Sequence, residues 1–398
     1  MRVGVYFGDY QPDLGGGYTH VADLLEGFAS EVGKSGHEYV VLCDESAVEV
    51  FRKKVRGPNV TIVGVPVKRR ALALTGLYYF SPLAGWMLRR RRDALNVVAK
   101  REGVELLWFV GVGAHVPPDI PYVANVWDIQ HRLQPFFPEV SADGTWIKRE
   151  QFYSHFLSRA AYCVTGAEAN KEAITKIYGI PNDRVRVMPL PAPTFALAAP
   201  PSQLNVREKF GIAGDYVFYP AQFWPHKNHA NLILALKWLK DEQGLDLTLV
   251  LCGSDKGNLQ YVRSFASRHG METRVRFLGF VSNEELVALY RGAVALTFPS
   301  YFGPDNLPPL EAFALGCPAI LSEWAGAREL YGDAAMLVDP SSPADIGRAI
   351  HRVQSDAALR ERLKEAGLAR SRQWTSSHCM ASMFALFDEF AAIRRNWE

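Results

Sequence analysis

The stretch ALTFPSYFGPDNLPPLEAFALGCPAILS, residues 295–322, decides the fold. Its two ends, 295–298 and 319–321, are short apolar runs bounded by breakers, as strands buried on both faces of a parallel sheet are. Between them Pro308 and Pro309 suit the first turn of a helix, where a missing N–H costs nothing. Gly316 stands where a left-handed cap would close that helix. Strand, turn, helix and strand in this order aim free N–H groups and the positive end of a helix dipole out of the carboxyl end of a strand. That is an anion site. Glu311, a turn into the helix, adds a carboxylate that accepts hydrogen bonds from hydroxyls. An anion receptor beside a hydroxyl acceptor suits a sugar nucleotide; the plainer account of Glu311 is an acid favouring the helix dipole.

Outward from this stretch the same alternation runs along the chain. Strand-like runs at 2–8, 39–43, 60–65, 106–110, 122–126, 162–165 and 185–188 are separated by helical patterns, notably at 20–35, 146–160 and 168–178. Residues 189–201 hold five prolines and mark a boundary. The series then restarts, with strands at 217–220, 247–252, 275–278, 295–298, 319–321 and 336–338. Helices are expected at 229–243, 259–269, 283–290 and 343–354, and a last one at 384–397. Such alternation predicts open parallel sheets covered by helices on both faces.

A chain of 398 residues holds more than one average domain. Its 48% apolar and 22% charged content is ordinary for a globular protein, and a net charge of +2 gives no global case for a nucleic-acid partner. Cys43, Cys163, Cys252, Cys317 and Cys379 form no Cys-x-x-Cys, and several lie in strand-like runs. Small buried thiols in a reducing cytoplasm are therefore expected. The amino terminus enters a strand directly, without the layout of a secretory signal.

Three further loops at strand ends carry residues suited to chemistry. Gly15, Gly16 and Gly17 follow the first strand and read as a flexible loop, where backbone can approach a ligand that a β-carbon would exclude. In PAQFWPHKNH, residues 220–229, Lys227 at a helix start adds a full charge to a dipole facing a phosphate, with His226 beside it. In NVWDIQHR, residues 125–132, Trp127 offers a face for a sugar ring, and Asp128 offers a polar contact or a helix cap. His131 sits on an apolar-flanked segment, a setting that usually serves the core.

Residues 307–312 and 316–320, LPPLEA and GCPAI, resemble the signature of glycosyltransferase family 4, retaining enzymes with the GT-B fold. That pattern is Glu-Gly-Phe-Gly-Leu-Pro-x-Leu-Glu, then Ala and a Gly-x-Pro strand. Lys227, Asn228 and His229 resemble the family's Lys-Asn-His segment, and the glycine loop stands where the family's does. The resemblance covers most of the chain and is strongest over 216–340. It implies an α/β GT-B architecture of two Rossmann-like domains facing across a cleft. An acceptor-binding domain would span 1–195 and a nucleotide-sugar-binding domain 205–375, with a helix over 376–398 packing back on the first.

The resemblance also assigns roles. Lys227 and backbone N–H groups would stabilise the departing diphosphate, Glu311 would hold ribose or sugar hydroxyls, and Asp128 would be the polar contact from the first domain. Donor binding would fall to Gly15, Gly16, Gly17, His226, Gly303, Asp305, Asn306 and Leu307, and sugar or acceptor contact to Trp127 and His131. Three positions depart from the pattern. Gly303 replaces its first glutamate, with Asp305 and Asn306 as nearby substitutes; Ala221 or Gln222 replaces an arginine; Trp127 replaces a histidine. The expected activity is transfer of a hexose or deoxyhexose from a GDP-, UDP- or dTDP-sugar to a hydroxyl of a glycan or lipid-linked acceptor in surface-polysaccharide synthesis. No cofactor is expected, and no metal, since no His/Asp pair has ligand spacing. An epimerase or phosphorylase-like enzyme of the same fold stays open, as does a degenerate nucleotide-binding subunit.

Residues 71–88 carry no charge between basic clusters at 68–70 and 89–92. The length just permits a membrane span, but Pro82 and two glycines in mid-domain favour an interfacial segment with its arginines on anionic headgroups. That would seat a cytoplasmic protein on the inner face of the plasma membrane. A buried helix with solvated arginine ends is the plainer account.

Overall fold

The computed structural model describes residues 1–8, 16–66, 94–112, 117–202, 204–302 and 306–397. Gly15, Gly303, Asp305 and the basic segment 67–92 lie outside them. The chain divides into two compact units, Met1–Leu190 with Ser376–Glu398, and Pro191–Thr375.

In the first unit the described strands are β1 (Arg2–Gly8), β2 (Glu38–Asp44), β3 (Val60–Val65), β4 (Leu106–Phe109), β5 (Tyr122–Asn125), β6 (Tyr162–Thr165) and β7 (Val185–Val187). They pair in parallel in the order β3-β2-β1-β4-β5-β6-β7. β4, the run LLWF, is buried throughout, because helices cover both faces of a parallel sheet. Those helices are α1 (Gly16–Glu31), α2 (Val48–Lys54), α3 (Ala94–Arg101), α4 (Thr145–Arg159) and α5 (Glu168–Tyr178). Strand order reverses between β1 and β4, the switch point where open α/β sheets leave a crevice beyond their carboxyl ends.

The second unit repeats the plan. Strands β8 (Tyr216–Pro220), β9 (Thr248–Cys252), β10 (Val275–Phe277), β11 (Ala295–Phe298), β12 (Ala319–Ser322) and β13 (Ala335–Val338) run parallel in the order β10-β9-β8-β11-β12-β13. The longer helices are α6 (His229–Gln243), α7 (Leu259–Arg268), α8 (Asn283–Gly292), α9 (Leu307–Ala314), α10 (Pro343–Ser355) and α11 (Ala357–Gln373). Reversal falls between β8 and β11, so the loops leaving these two strands meet at the crevice. α9 ends as its sequence requires: Gly316 takes φ +69, its N–H bonds the Phe313 carbonyl at 3.2 Å, and Cys317 N–H bonds the Ala312 carbonyl at 2.8 Å. The last helix, α12 (Ser376–Arg394), belongs to the first unit. There Ser377 Oγ donates to Glu31 of α1 at 3.0 Å, and Phe387 meets the Trp108 ring edge-on at 6.0 Å.

Three of the differences from the sequence reading have a local cause. α1 starts at Gly16, so two glycines read as a flexible loop form its first turn. Its buried stripe of Leu24, Leu25 and Phe28 carries the helix, and a tight turn at Val32–Lys34 ends it. α11 was not anticipated, because Gly367 and Ser371 complete the buried stripe begun by Leu359 and Leu363. Two of its four inward positions are therefore invisible to an apolar pattern. α12 begins at Ser376, where the resemblance put it and ahead of the 384 that the local pattern gave, since Cys379, Met380 and Met383 extend its buried face upstream. All five cysteines are free and buried. No described helix is long and apolar enough to cross a membrane.

Candidate functional site

In the second unit the site is built from the loops that leave β8 and β11. After β8 the chain turns through a 3-10 segment, Pro225–Lys227, and enters α6 at Asn228. Asn228 has φ +58, a left-handed conformation that asparagine tolerates better than most residues. Its Nδ2 donates to the carbonyls of Pro299 at 2.9 Å and Pro340 at 2.6 Å. One amide thus ties the turn to the loops beyond β11 and β13. Tyr219 Oη donates to the Lys227 carbonyl at 2.7 Å.

With its backbone held this way, Lys227 sends Nζ to Asn306 Oδ1 at 2.9 Å, and the ammonium lies 4.9 Å over the Phe298 ring. Asn306 immediately precedes α9, and its Nδ2 donates to the Phe302 carbonyl at 3.1 Å instead of capping the helix. The ammonium therefore stands at the positive end of α9, and two positive features side by side make an anion receptor. One expectation needs correcting. Pro308 and Pro309 have no N–H, so of the first helical turn only Leu307 brings a donor. Lys227 carries most of the positive character, and the helix supplies dipole more than hydrogen bonds.

The remaining expected donor contacts take structural positions nearby. The His226 ring lies flat on Phe302, centroids 3.9 Å apart and planes 8° from parallel, and the His226 carbonyl accepts from Tyr301 N–H at 2.9 Å. The Leu307 side chain is buried, which leaves its backbone as the part available to a ligand. Glu311 is 7% exposed, and Tyr290 Oη donates to its Oε2 at 2.7 Å. Burial, and then the neighbouring carboxylate, push the Tyr290 phenol well above its ordinary range, so it stays a donor. A carboxylate with one oxygen fixed from beneath is oriented for hydroxyls.

Neither residue at the arginine position supplies a cation. Ala221 is buried, and Gln222 donates to Ser254 Oγ at 3.1 Å while accepting from Trp224 Nε1 at 3.1 Å. The loop after β9 does bring one: Lys256 Nζ lies 6.0 Å from the Trp224 ring. Gly253 permits that approach. At φ +143 it brings backbone so close that a Cβ would sit 2.3 Å from the Ala221 carbonyl oxygen. Lys256, Tyr290 and the tying role of Asn228 escaped the sequence reading. Their partners are distant in the chain, and lysine or tyrosine at those spacings carries no signal.

In the first unit, Asp128 Oδ1 accepts from Gln130 N–H at 2.9 Å and pairs with Arg149. It organises its own loop and remains partly exposed. His131 is 0% exposed. Its Nε2 meets Glu150 at 3.2 Å and Tyr178 Oη at 3.1 Å, Arg149 donates to Nδ1 at 3.3 Å, and the ring stacks on Tyr153 at 5.5 Å. Burial, helped by Arg149, lowers its pKa to about 4. An enclosed ring with both nitrogens engaged leaves no atom for a sugar, so the expected sugar contact at His131 gives way to a role in the core. Trp127 is half-buried and meets His20 of α1 edge-on at 5.7 Å. Gly16 and Gly17 open α1. Among the described residues, no group of three His, Cys, Asp or Glu side chains is placed to hold a metal ion.

Comparison with known proteins bears on both units. Residues 203–370 match the family model of glycosyl transferases group 1, and residues 15–191 match that of a glycosyl transferase 4-like domain. The O-antigen chain mannosyltransferase B of Escherichia coli is 28% identical over 225 residues, covering 56% of this chain and 59% of that relative. Among solved structures, the sucrose-phosphate synthase of Thermosynechococcus elongatus superposes with a TM-score of 0.72 at 17% identity, over 98% of this chain and 99% of that one. The Anabaena protein HepE, solved in complex with UDP, gives a TM-score of 0.65 at 16% identity, over 98% and 100% of the two chains. Two doubly wound units, an anion receptor at the second switch point and family matches over nearly the whole chain converge: this protein belongs to the group 1 glycosyltransferases, family 4-like enzymes of the GT-B fold.

Proposed function

We propose that the protein is a retaining hexosyltransferase that moves mannose or a related hexose from a nucleoside-diphosphate sugar to a hydroxyl of a glycan or lipid-linked acceptor during surface-polysaccharide synthesis. The observation that carries this reading is the Lys227 ammonium, 2.9 Å from Asn306 at the start of α9, with Glu311 one turn along the same helix. The relative's name supports mannose and O-antigen, and the neighbour's UDP supports a nucleotide donor.

In this reading the sugar–phosphate bond breaks as the acceptor oxygen approaches the same face of the ring. Lys227 and the α9 dipole stabilise the charge gathering on the leaving diphosphate. A phosphate oxygen of the leaving group takes the acceptor's proton, so no protein base is required. Glu311 accepts hydrogen bonds from ribose or sugar hydroxyls, oriented by Tyr290. No metal or cofactor enters the scheme. Incubation with GDP-mannose, UDP-glucose and a dTDP-sugar, a polyprenyl-diphosphate-linked glycan as acceptor, tests it. The expected outcome is nucleoside diphosphate release with an axial donor bond kept axial in the product. An inverted anomeric centre, free phosphate-dependent cleavage, or nucleotide binding without turnover would each overturn the reading.

A further inference from the structure

We propose that a cavity at the amino end of β5, walled by Trp397 and edged by Arg159 and Asp119, holds a neutral hexose residue of the acceptor glycan. The occupant's identity as acceptor rests on the proposed sugar transfer; the cavity does not. Its volume is about 350 Å³, within the range of about 300–1,000 Å³ in which proteins take small ligands. β5 begins at Tyr122, which lines the cavity, whereas the crevice of a doubly wound sheet lies beyond the carboxyl ends of its strands. From Tyr122 to Asn125 the strand rises about 10 Å, at about 3.3 Å per residue. The cavity is therefore a second site and not an arm of the crevice.

Its walls all belong to the first unit. The Tyr122 ring is buried, and its Oη is spent on the Phe156 carbonyl at 2.6 Å, so the ring serves the cavity as apolar surface. Pro118, Pro121 and Phe390 of α12 extend that surface. Phe390 also meets the Trp397 indole edge-on at 6.2 Å. Trp397 follows α12 and is 45% exposed, yet it is held: its backbone N–H bonds the Arg394 carbonyl at 3.2 Å, and the Arg394 guanidinium lies 5.4 Å over the indole. A large ring that is fixed in place and half-exposed over a cavity is a platform for the carbon face of a sugar.

The polar edge is as ordered as the platform. Arg159, the last residue of α4, spends one N–H on the Pro118 carbonyl at 3.2 Å; among the described residues its other N–H groups bond nothing. Asp119 is fixed from α3, where Asn96 Nδ2 at 3.0 Å and Lys100 Nζ at 2.7 Å both donate to its Oδ2. Those bonds, Lys100 foremost, hold its carboxyl below the ordinary range, so it is a charged acceptor at neutral pH. Among the described residues its Oδ1 accepts no bond, which leaves that oxygen to a ligand. A hydroxyl both donates and accepts, so a fork of donors near a fixed acceptor suits vicinal hydroxyls on one ring. The Asp119 carboxylate repels a phosphate. A glycan that touches the enzyme at two places meets the second at a raised effective concentration, so this site favours long acceptors over short ones.

Titration of the full chain with mannotetraose and with maltotetraose tests the site without turnover. In a ¹H–¹⁵N correlation spectrum the Trp397 indole peak, assigned by its loss in Trp397→Ala, is expected to move with at least one of the two, and equally with GDP or UDP present. Arg159→Ala should raise the Kd read from that peak at least about tenfold, as expected when a ligand loses a charged partner. In transfer assays the ratio of KM for a short acceptor to KM for a long one should fall toward one in both variants, the change lying in KM and not in kcat. An indole unmoved by both oligosaccharides, or moved as strongly by inorganic phosphate, refutes the site. An unaltered preference for long acceptors in both folded variants refutes it too, and the wild-type titration decides alone if a variant fails to fold. If nucleoside diphosphates bind while the oligosaccharides leave the indole unmoved, the site fails and the transferase reading stands. If no nucleotide binds and no sugar is transferred, that reading fails, and the titration still decides whether the cavity takes a sugar.

Discussion

Replacing Lys227 with alanine removes the charge on which the proposed donor site depends, and its effect can be sized from the contacts. The ammonium hydrogen-bonds Asn306 at 2.9 Å and lies 4.9 Å over the Phe298 ring. A hydrogen bond to a charged group contributes about 1.5–3 kcal/mol net. A bare Coulomb estimate for unit charges 4 Å apart, at an effective dielectric of about 20, is roughly 4 kcal/mol, an upper figure for this half-buried side chain. At about 1.4 kcal/mol per decade, Lys227→Ala should raise the Kd for GDP or UDP by about 10- to 150-fold. The lost Asn306 bond and the cation over the ring, about 1.5–3 and 0.5–1 kcal/mol at such sites, set the ceiling on the stability cost. Isothermal calorimetry at two salt concentrations, with thermal unfolding alongside, is the assay. Asn306→Ala keeps the ammonium and should lose much less affinity. A correctly folded Lys227→Ala protein that binds nucleoside diphosphate within about twofold of wild type would refute the placement of the phosphates beside α9.

Two further outcomes follow from buried groups. His229 is 1% exposed with neither ring nitrogen partnered, it stacks on Phe223 at 4.7 Å, and burial lowers its pKa to about 3. Its folded pKa lies below the unfolded value of about 6.5, so the unfolded chain binds more protons between these values and stability falls as pH drops from about 6.5 toward 3. His229→Phe should flatten that part of the Tm–pH curve and leave Tm at pH 7.5 equal or higher; an unchanged slope would count against it. Gly253→Ala would force a Cβ to 2.3 Å from the Ala221 carbonyl oxygen at a φ of +143. Denaturant unfolding should show a loss of more than about 2 kcal/mol, with weakened nucleotide binding as the loops after β8 and β9 part. A loss below about 0.5 kcal/mol would mean that this backbone contact relaxes freely.

The order of strands and helices was legible in the chain because parallel strands buried on both faces are continuous apolar runs, and breakers mark their ends. β3, β6 and β11 and helices α5 and α6 fall where local pattern puts them. So does Gly316, whose left-handed φ only glycine takes without strain. The Lys227 and Glu311 positions were visible too, as a lysine and an acid near helix starts after strands. Sequence could not say what holds them. Asn228 reaches Pro299 and Pro340, Tyr290 reaches Glu311, and Lys227 reaches Asn306, each across a long sequence separation closed only by the sheet.

His131 shows the same limit from the other side. Its apolar-flanked segment suited the core while the resemblance gave it a sugar contact, and only the fold decides: Glu150, Tyr178, Arg149 and Tyr153 enclose it. Local chemistry determines which elements form and which side chains are capable of a task. Whether a capable side chain meets a ligand or a neighbour depends on what the sheet order brings beside it, because hydrogen bonds and burial act over a few ångströms and are blind to distance along the chain.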